Sequence, residues 1–584
     1  MKNYSTLSTD ELIKIIEKLE NKKKFGLIWD EERIPEKVVN DCQNNLPVLT
    51  EIKKKQIITN EKKPMHVLIE GDNYHALSVL NYTHKNGIDF IYIDPPYNTG
   101  AKDFIYNDLY VEKDDTWRHS KWINFMSKRL ELARQLLKKE GVIFISINEE
   151  EQAQLKLLCD DVFGIDNYLT MFSVKVRHED RILKGDKDFH EVIEYLLLYR
   201  KSSNFKTVKR VLDNTSIAEY VYEIEELVKN PKTIIFGKKE VQVFQPNQYK
   251  IKKSKPNSEN LKKINIRGSI KEGNSSGRFF MKYLADKLGK ELGYLYKVPD
   301  IGDDGKGFRY FLLPEKLSRT NGDYFQGVPL DKSDEKEVPY PNFMDFEYDF
   351  NNVGYEGGIE FRNGKKPIHF ILKCFEMGGL NNNKNAVVLD FFAGSGSTGH
   401  ALMQLNADGG NRQIILCTNN ENNICDEKTY PRLKKAIYGY TVGKETFDPL
   451  EGNLKYFKTS FVRNSSNKDQ LKIDITKKCT EMLCLKEGIF KFFKNQLDHN
   501  ELIWQIFTNN SRFMAVYYDF AGKPLESLKI EMNKLKGEKI LYCFTTDTYG
   551  LNKHNFYDWN DIRLEPIPQK ILDVYKRIFK GNVR

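Results

Sequence analysis

Residues 88–100 read Ile-Asp-Phe-Ile-Tyr-Ile-Asp-Pro-Pro-Tyr-Asn-Thr-Gly. An apolar run rich in β-branched and aromatic side chains stops abruptly at Asp94-Pro95-Pro96-Tyr97, which predicts a buried strand ending in a loop. Val67–Glu70 and Val142–Ile147 are further runs of this kind, and the helical patterns Ala76–His84 and Trp122–Lys138 lie between the three. Strands alternating with helices imply a parallel sheet with crossover helices. The alternation returns at Pro367–Met377, Ala386–Phe391, Gly399–Leu405 and Gln413–Thr418.

The loop carries chemistry as well as topology. Two consecutive prolines fix backbone angles and remove donors, leaving carbonyl oxygens that can face a ligand. Such a loop suits an amine nucleophile. The exocyclic amine of adenine is weak because its lone pair is delocalised into the ring. Hydrogen bonds from its N–H groups to the Asp94 carboxylate and the Pro95 carbonyl would return electron density to nitrogen. An amine inside stacked duplex cannot reach a loop, so the base must rotate out and stack on a flat side chain, for which Tyr97 is the candidate. The bland reading is a proline-rich turn with a surface tyrosine; Asp-Pro-Pro-Tyr-Asn-Thr-Gly at the end of an apolar strand outweighs it.

A second stretch, Val387-Val388-Leu389-Asp390-Phe391-Phe392-Ala393-Gly394-Ser395-Gly396-Ser397-Thr398-Gly399, is a strand running into a small-residue loop that opens a helix. Backbone can approach a nucleoside cofactor closely at such a place. The loop lacks the third glycine, in register, of a dinucleotide fingerprint. Taken alone, a plain strand–helix turn explains it equally well.

Together the two loops resemble those of amino-methyltransferases, and their order is that of the beta class of DNA adenine methyltransferases. His119-Ser120-Lys121-Trp122, Phe125-Met126, Arg129-Leu130, Gly141–Asn148 and Val162-Phe163-Gly164 are similar to the modification subunits of type III restriction–modification systems. So are Gly71-Asp72-Asn73 and Asn453-Leu454-Lys455-Tyr456-Phe457. The resemblance covers residues 65–200 and 360–460 and implies a Rossmann-like, S-adenosylmethionine-dependent methyltransferase core. It implies that Asp94, Pro95, Pro96 and Tyr97 form the catalytic loop. The cofactor would meet Asp390, Phe392, Ala393, Gly394, Gly396 and Thr398, with Asn98, Lys366, Pro367 and Glu421 completing the set. Glu421 stands in for the acid expected at the end of the Gln413–Thr418 strand, which runs instead into Asn419-Asn420. Asp72 is either a ligand for the base edge or an ordinary turn residue. By the same resemblance the partners are double-stranded DNA, a second copy of the chain and a helicase-like restriction subunit.

The organisation expected is an N-terminal helical appendage (1–64), a catalytic half (65–200), an inserted target-recognition domain (201–360), a cofactor-binding half (361–450) and a small C-terminal α/β addition (451–584). In the last region Leu471–Ile475, Phe513–Tyr518 and Ile540–Thr545 are candidate strands, and residues 10–24 carry a helical pattern. The insert holds the chain's strongest charge bias: between Lys250 and Lys297 there are thirteen Lys/Arg against four Asp/Glu, with Phe279, Phe280, Tyr283, Tyr294 and Tyr296 interleaved. That pattern is either a phosphate-tracking surface or a solvated lysine-rich face. Arg267, Arg278 and Arg309 sit among flexible turns and could read guanine, while Lys252, Lys253, Lys262 and Lys263 would hold phosphates.

The whole chain has 584 residues, a net charge of +9, 40% hydrophobic and 30% charged residues, which describes several globular units rather than a disordered protein. No apolar run approaches the roughly 20 residues that cross a bilayer. With the lack of a signal-peptide pattern at Met1-Lys2-Asn3-Tyr4, this predicts a cytoplasmic protein. The eight cysteines show no CxxC pair, and His84, His119, His178 and His190 read as ordinary polar or packing residues, so no metal is expected. The competing functions are N4-cytosine methylation, whose loops of this order resemble Ser-Pro-Pro-Tyr, RNA methylation, a stand-alone or type II methyltransferase, and a catalytically silent DNA-binding subunit.

Overall fold

The computed structural model describes residues 8–9, 11–13, 29, 35–181, 188–213, 216–330, 335–361, 364–499, 501–519, 525–546, 551, 556–559 and 561–580. Two compact units emerge, one built from residues 1–208 and 341–584 and the other from 209–340.

The larger unit is organised on strands β1 (Asn45–Glu51), β2 (Met65–Glu70), β3 (Ile88–Ile93), β4 (Leu137–Ile147), β5 (Tyr168–Lys175), β6 (Ile193–Arg200), β7 (Phe343–Asp345), β8 (Val387–Asp390), β9 (Gln413–Thr418) and β10 (Asn453–Arg463). Among the described residues they form one sheet in the order β1-β10-β2-β9-β8-β3-β4-β6-β5-β7. The run from β10 to β4 is parallel throughout. The helices that matter for the site are α1 (Asn73–Thr83), α2 (Arg118–Leu136), α3 (Gln152–Phe163), α4 (Ile368–Met377), α5 (Ser397–Leu405) and α6 (Tyr430–Tyr438).

Parallel strands are covered on both faces, and this explains why β3 has no polar alternation. Phe90 meets Phe375 of α4 edge-on at 5.3 Å and Tyr92 meets Phe370 at 6.3 Å, while Ile91 and Ile93 belong to the core that includes Leu77 and Leu80 of α1 and Leu130 of α2. β3 and β8 are neighbours in register, Phe90 opposite Val388 and Ile91 opposite Leu389. The Asp94 loop and the Phe392 loop therefore leave adjacent strands at the same edge of the sheet, although three hundred residues of chain separate them. Their juxtaposition is a property of topology.

Several expected boundaries differ from the structure. β1 lies within the region read as a helical appendage, yet pairs antiparallel with β10 along Asn45–Glu51. Of the helical pattern at 10–24, all but residues 11–13 lies outside the described residues. β10 belongs to the central sheet rather than to the C-terminal addition, whose own five-stranded sheet runs Lys491–Asp498, Glu501–Asn509, Arg512–Tyr517, Glu538–Phe544 and Ile562–Ile567. Leu471–Ile475 is not a strand but part of a helix, Lys468–Lys478. Its Leu-Lys-Ile-Asp-Ile alternation imitates a strand; the Asn467 side chain accepts from the Asp469 and Gln470 amides at 3.1 and 3.2 Å and starts the helix, which buries Leu471 and Ile475 one turn apart.

The unit 209–340 is narrower than the expected insert. Its largest sheet is antiparallel, in the order Lys232–Phe236, Lys239–Phe244, Leu295–Pro299, Phe308–Leu312, Asp323–Gln326, Lys262–Asn265. The helix Ser275–Tyr283 lays Phe279 and Phe280 on Phe311 of this sheet, at 5.5 and 6.4 Å. Phe279, Phe280 and Tyr296 are thus core residues rather than members of a surface stripe. Among the described residues no helix of the chain is long and apolar enough to cross a membrane.

Candidate active site

Asp94 is the first residue beyond β3. Its carboxylate, the Glu194 carboxylate from β6 and the Lys366 ammonium from the residue pair ahead of α4 converge on the Tyr97 hydroxyl. Lys366 Nζ lies 2.6 Å from Tyr97 Oη, 2.8 Å from Glu194 Oε2 and 3.3 Å from Asp94 Oδ1. The hydroxyl in turn stands 2.9 Å from Asp94 Oδ1 and 3.0 Å from Glu194 Oε2. All three charged side chains are largely buried, at 7% exposure for Lys366, 19% for Asp94 and 14% for Glu194. Burial pushes the Asp94 carboxyl above the usual carboxylate range, and the Lys366 ammonium pulls it back only in part. Burial also opposes charge on Glu194, but Lys366 and the Tyr97 hydroxyl outweigh it and hold this acid below its ordinary value. Lys366 is held charged because the two carboxylates more than offset its burial. Trp122 of α2, fully buried, donates its indole N–H to the Pro96 carbonyl at 2.7 Å and pins the loop from beneath.

Asn98 does not turn toward the second loop. It adopts a left-handed backbone (φ 58°), which asparagine tolerates, and its buried Nδ2 donates to Glu151 Oε1 at 2.5 Å and to the Arg118 carbonyl at 3.3 Å. Glu151 Oε1 also bonds His119 Nδ1 at 2.7 Å. Asn98, expected at the cofactor, instead has a side chain that ties the Asp94–Tyr97 loop to the starts of α2 and α3.

The second loop is held by its own acid. Asp390 Oδ1 accepts from the Phe392 amide at 2.9 Å and Oδ2 from the Thr398 hydroxyl at 2.6 Å, closing the turn from β8 into α5. Burial pushes this carboxyl up to about 7. Asp390 and Thr398 thus shape the loop from within. Gly394 and Gly396 take left-handed φ values of 48° and 79°. A Cβ at Gly394 would have only the Phe392 carbonyl, 3.8 Å away, within 4 Å, so that side of the loop is open and a ligand can approach its backbone. The loop's other supports are buried. Thr429 Oγ1 donates to the Gly394 carbonyl at 2.6 Å. Asn73 donates to the Phe391 carbonyl at 3.0 Å while accepting from Arg129 at 2.5 Å. The Arg432 guanidinium of α6 reaches Ser395 at 3.1 Å, Ser397 at 2.7 Å and Glu356 at 2.8 Å.

The remaining expected positions divide. Lys366 sits against the Asp94–Tyr97 loop, as described, and Pro367 caps the start of α4. Asp72 is the N-cap of α1: one of its oxygens accepts from the Tyr74 amide at 2.7 Å and from Arg129 at 3.3 Å, the ordinary structural use of the residue. Glu421 is exposed in a short turn after β9, 3.4 Å from both the Tyr110 hydroxyl and the Asn419 amide. Arg309 is buried against Ser276 (2.8 Å), Asp304 (3.2 Å) and Asp303 (3.3 Å), so its guanidinium is spent within the unit and is not presented to a groove. Arg267 and Arg278 are exposed. Lys252 pairs with Glu225 at 2.6 Å, Lys263 with Asp323 at 3.0 Å, and Lys262 with Glu219. Those acids lie outside the lysine-rich window, so the charge excess counted along the sequence overstates the excess in space. Lys253 stands 5.5 Å from the Tyr222 ring. Among the described residues one group with metal-ligand potential occurs, His178, Glu179 and Glu347, and the Lys175 ammonium already bridges its two carboxylates at 2.9 and 2.8 Å.

Glu194 and Arg432 were not singled out from sequence, and Trp122, Asn73 and Arg129 stood there only within the stretches that carry the family resemblance, not as site residues. Glu194 was the findable one: it is an acid within Val192-Ile193-Glu194-Tyr195-Leu196-Leu197, where a solvent-facing role is improbable for a strand this apolar.

A family model described as DNA methylase matches residues 88–430, more than half of the chain and spanning both loops. The chain belongs to the DNA methylase family. It is 30% identical over 421 residues to the type III restriction–modification enzyme EcoPI Mod subunit of Escherichia phage P1, covering 65% of this chain and 61% of that protein. It is equally similar, 30% over 388 residues, to the StyLTI Mod subunit of Salmonella typhimurium, covering 62% of this chain and 53% of that protein. The type II methyltransferase M.KpnI of Klebsiella pneumoniae is 30% identical over 361 residues, covering 60% of this chain and 79% of that one. The matches thus span between about half and three-fifths of the type III relatives' length. Within the family match the separation of the two loops is explained: β3 to β8 is one continuous methylase region carrying the unit 209–340 as an insertion.

Proposed function

We propose that this DNA methylase transfers a methyl group from S-adenosylmethionine to N6 of adenine at a specific site in double-stranded DNA, as the modification subunit of a type III restriction–modification system. The observation that carries the reading is the meeting of Asp94, with Tyr97, and the open Gly394 loop at the ends of adjacent strands β3 and β8. When bound, S-adenosylmethionine supplies a methyl on a sulfonium sulfur, which an amine displaces with loss of one proton. The chain's own work is positional. Asp94, with the Pro95 carbonyl, accepts from the amine N–H groups; Tyr97 stacks on the extruded base; Trp122 keeps the loop in place. The backbone of Phe392–Gly396 offers the cofactor a surface that a side chain at Gly394 would fill. An acid at the head of the loop favours adenine over cytosine, whose enzymes carry serine there.

Sequence reading is assigned to the unit 209–340, with the exposed Arg267 and Arg278 as base-reading candidates and the exposed Lys253 as a phosphate contact. The similarity to Mod subunits supports a homodimer and a restriction subunit as partners, and a cytoplasmic location. Long-read sequencing of DNA incubated with the purified protein and S-adenosylmethionine tests the whole reading, because it returns base, position and motif together. N6-methyladenine at one recurrent asymmetric motif is the expected result; N4-methylcytosine or unmodified DNA refutes it.

A further inference from the structure

We infer that Glu194 is a positioning residue for the catalytic loop: it anchors Lys366 and offers the Tyr97 hydroxyl a second acceptor, so that Asp94 can be released to the substrate amine. The inference rests on the proposed methyl transfer to an amine held by Asp94.

The geometry is one of four donor protons and three accepting groups. A lysine ammonium has three N–H groups. Those of Lys366 face the Glu194 carboxylate, the Tyr97 hydroxyl and the Asp94 carboxylate. The hydroxyl has a single proton and two carboxylate oxygens within 0.1 Å of the same distance, Asp94 at 2.9 Å and Glu194 at 3.0 Å. Both the hydroxyl and the ammonium stand against Asp94 Oδ1, so if Asp94 were the hydroxyl's only acceptor that oxygen could turn to an incoming amine only by giving up both. With Glu194 present, the hydroxyl turns by a small rotation and keeps a charge-assisted bond, and Lys366 keeps its strongest ion pair. Releasing Asp94 then leaves the hydroxyl proton bonded to Glu194, and only the Lys366 N–H that faced Asp94 gives up its acceptor.

Placement on a strand makes the anchor rigid. Glu194 stands on β6 opposite Val174 of β5, in a sheet buried from Leu196 onward. A carboxylate there is tolerated only when paired, and Lys366 is its near partner, with Arg177 contributing at longer range. Three groups from three chain segments (β3–loop, β6 and the start of α4) thereby meet in one bridge. It holds two negative charges against one positive, so the group that gains most from an additional positive or hydrogen-bond-donating neighbour is Asp94. The other titratable groups near this carboxyl are Tyr92, at the end of β3, and Asp390, at the end of β8.

The test uses the full chain and reads single-turnover methyl transfer against pH, together with S-adenosylmethionine affinity by calorimetry. In Glu194→Gln the charge that raises the Asp94 carboxyl is gone and Lys366 turns wholly to Asp94. The rate is expected to fall by about 10- to 100-fold, as for a lost charge-assisted bond, and the acid limb of the profile to move to lower pH. In Lys366→Met two buried acids are left without their cation, so the acid limb moves to higher pH. Glu194→Asp keeps the charge and should leave the limb in place. Cofactor affinity should stay within about threefold in all three. Residues that merely held the fold would scale the profile at every pH without displacing its limb. Limbs that stay put, or move the same way in Gln and Met variants, overturn the inference, as does loss of cofactor binding in Lys366→Met, which would return Lys366 to the cofactor pocket. Should the wild-type protein itself transfer no methyl to DNA, the proposed function fails instead, and the two failures are distinct.

Discussion

Asp390→Asn isolates the acid that closes the loop between β8 and α5. The substitution is nearly isosteric: the amide oxygen can still accept from the Phe392 N–H, and its nitrogen can donate to the Thr398 hydroxyl, which now accepts. What changes is ionisation. Asp390 is 2% exposed and burial pushes its carboxyl up to about 7, against an unfolded value near 3.9. A folded-state value above the unfolded one means that the native protein holds a proton which the unfolded chain has released. Stability is therefore fully present below about pH 4, falls as pH rises, and levels off above about pH 7. At about 1.36 kcal/mol per unit the whole fall is about 4 kcal/mol, of which about 2 kcal/mol lies above pH 5.5. Asparagine has no proton to lose, so the stability difference between variant and wild type should shift in the variant's favour by about 2 kcal/mol between about pH 5.5 and 8. Urea unfolding followed by the fluorescence of the tryptophans, Trp122 buried among them, measures it. A difference that is flat with pH, or that moves toward the wild type, would refute the account of Asp390 as a buried, half-protonated staple.

Asp94→Ala should abolish methyl transfer while leaving DNA binding largely intact, because Asp94 lies in the bridge with Lys366 and a carboxylate does not hold phosphate; filter binding and turnover measured on one preparation check it. Gly394→Asp should fold, since its Cβ has room, 3.8 Å from the Phe392 carbonyl, and aspartate tolerates the left-handed φ of 48° better than most residues, yet lose S-adenosylmethionine binding by calorimetry as a carboxylate enters the open side of the loop. Gly396→Asp is the less clean variant, its Cβ falling 3.2 Å from the Thr429 methyl. Arg309→Ala breaks a buried ion pair with Asp304 and should destabilise the unit 209–340 by about 3–5 kcal/mol, seen as early proteolysis, whereas exposed Arg267→Ala should leave folding alone and relax the methylated motif at one position. A stable Arg309→Ala protein with altered specificity would restore that arginine to the groove.

What could be read from the sequence is what local chemistry dictates. β3 and β8 announce themselves because a strand buried on both faces must be apolar throughout, and the residues that interrupt such a strand, Asp94-Pro95-Pro96 and Phe392-Ala393-Gly394, must have a reason to be there. The network around those loops was hidden because its members are joined only by the fold. Glu194 is a hundred residues from Asp94 and Lys366 is some 270, and each is an ordinary charged residue until β6 and the start of α4 bring them to the Tyr97 hydroxyl. Asn98 misled for the opposite reason: proximity in sequence to the catalytic loop suggested a ligand, but a left-handed backbone sends its side chain back to Glu151. Arg309 and the lysines of the insert misled because charge counted along a chain ignores partners supplied from elsewhere. Asp323 alone takes up both Lys263 and Arg319, at 3.0 and 2.5 Å, while itself 2% exposed. A run of cations facing such acids is part of how the unit is held together, and the cations available to the proposed DNA partner are those, like Arg267, that the fold leaves exposed. Recognition in this protein should therefore be sought by exposure first and by charge second, the reverse of the order in which a sequence offers them.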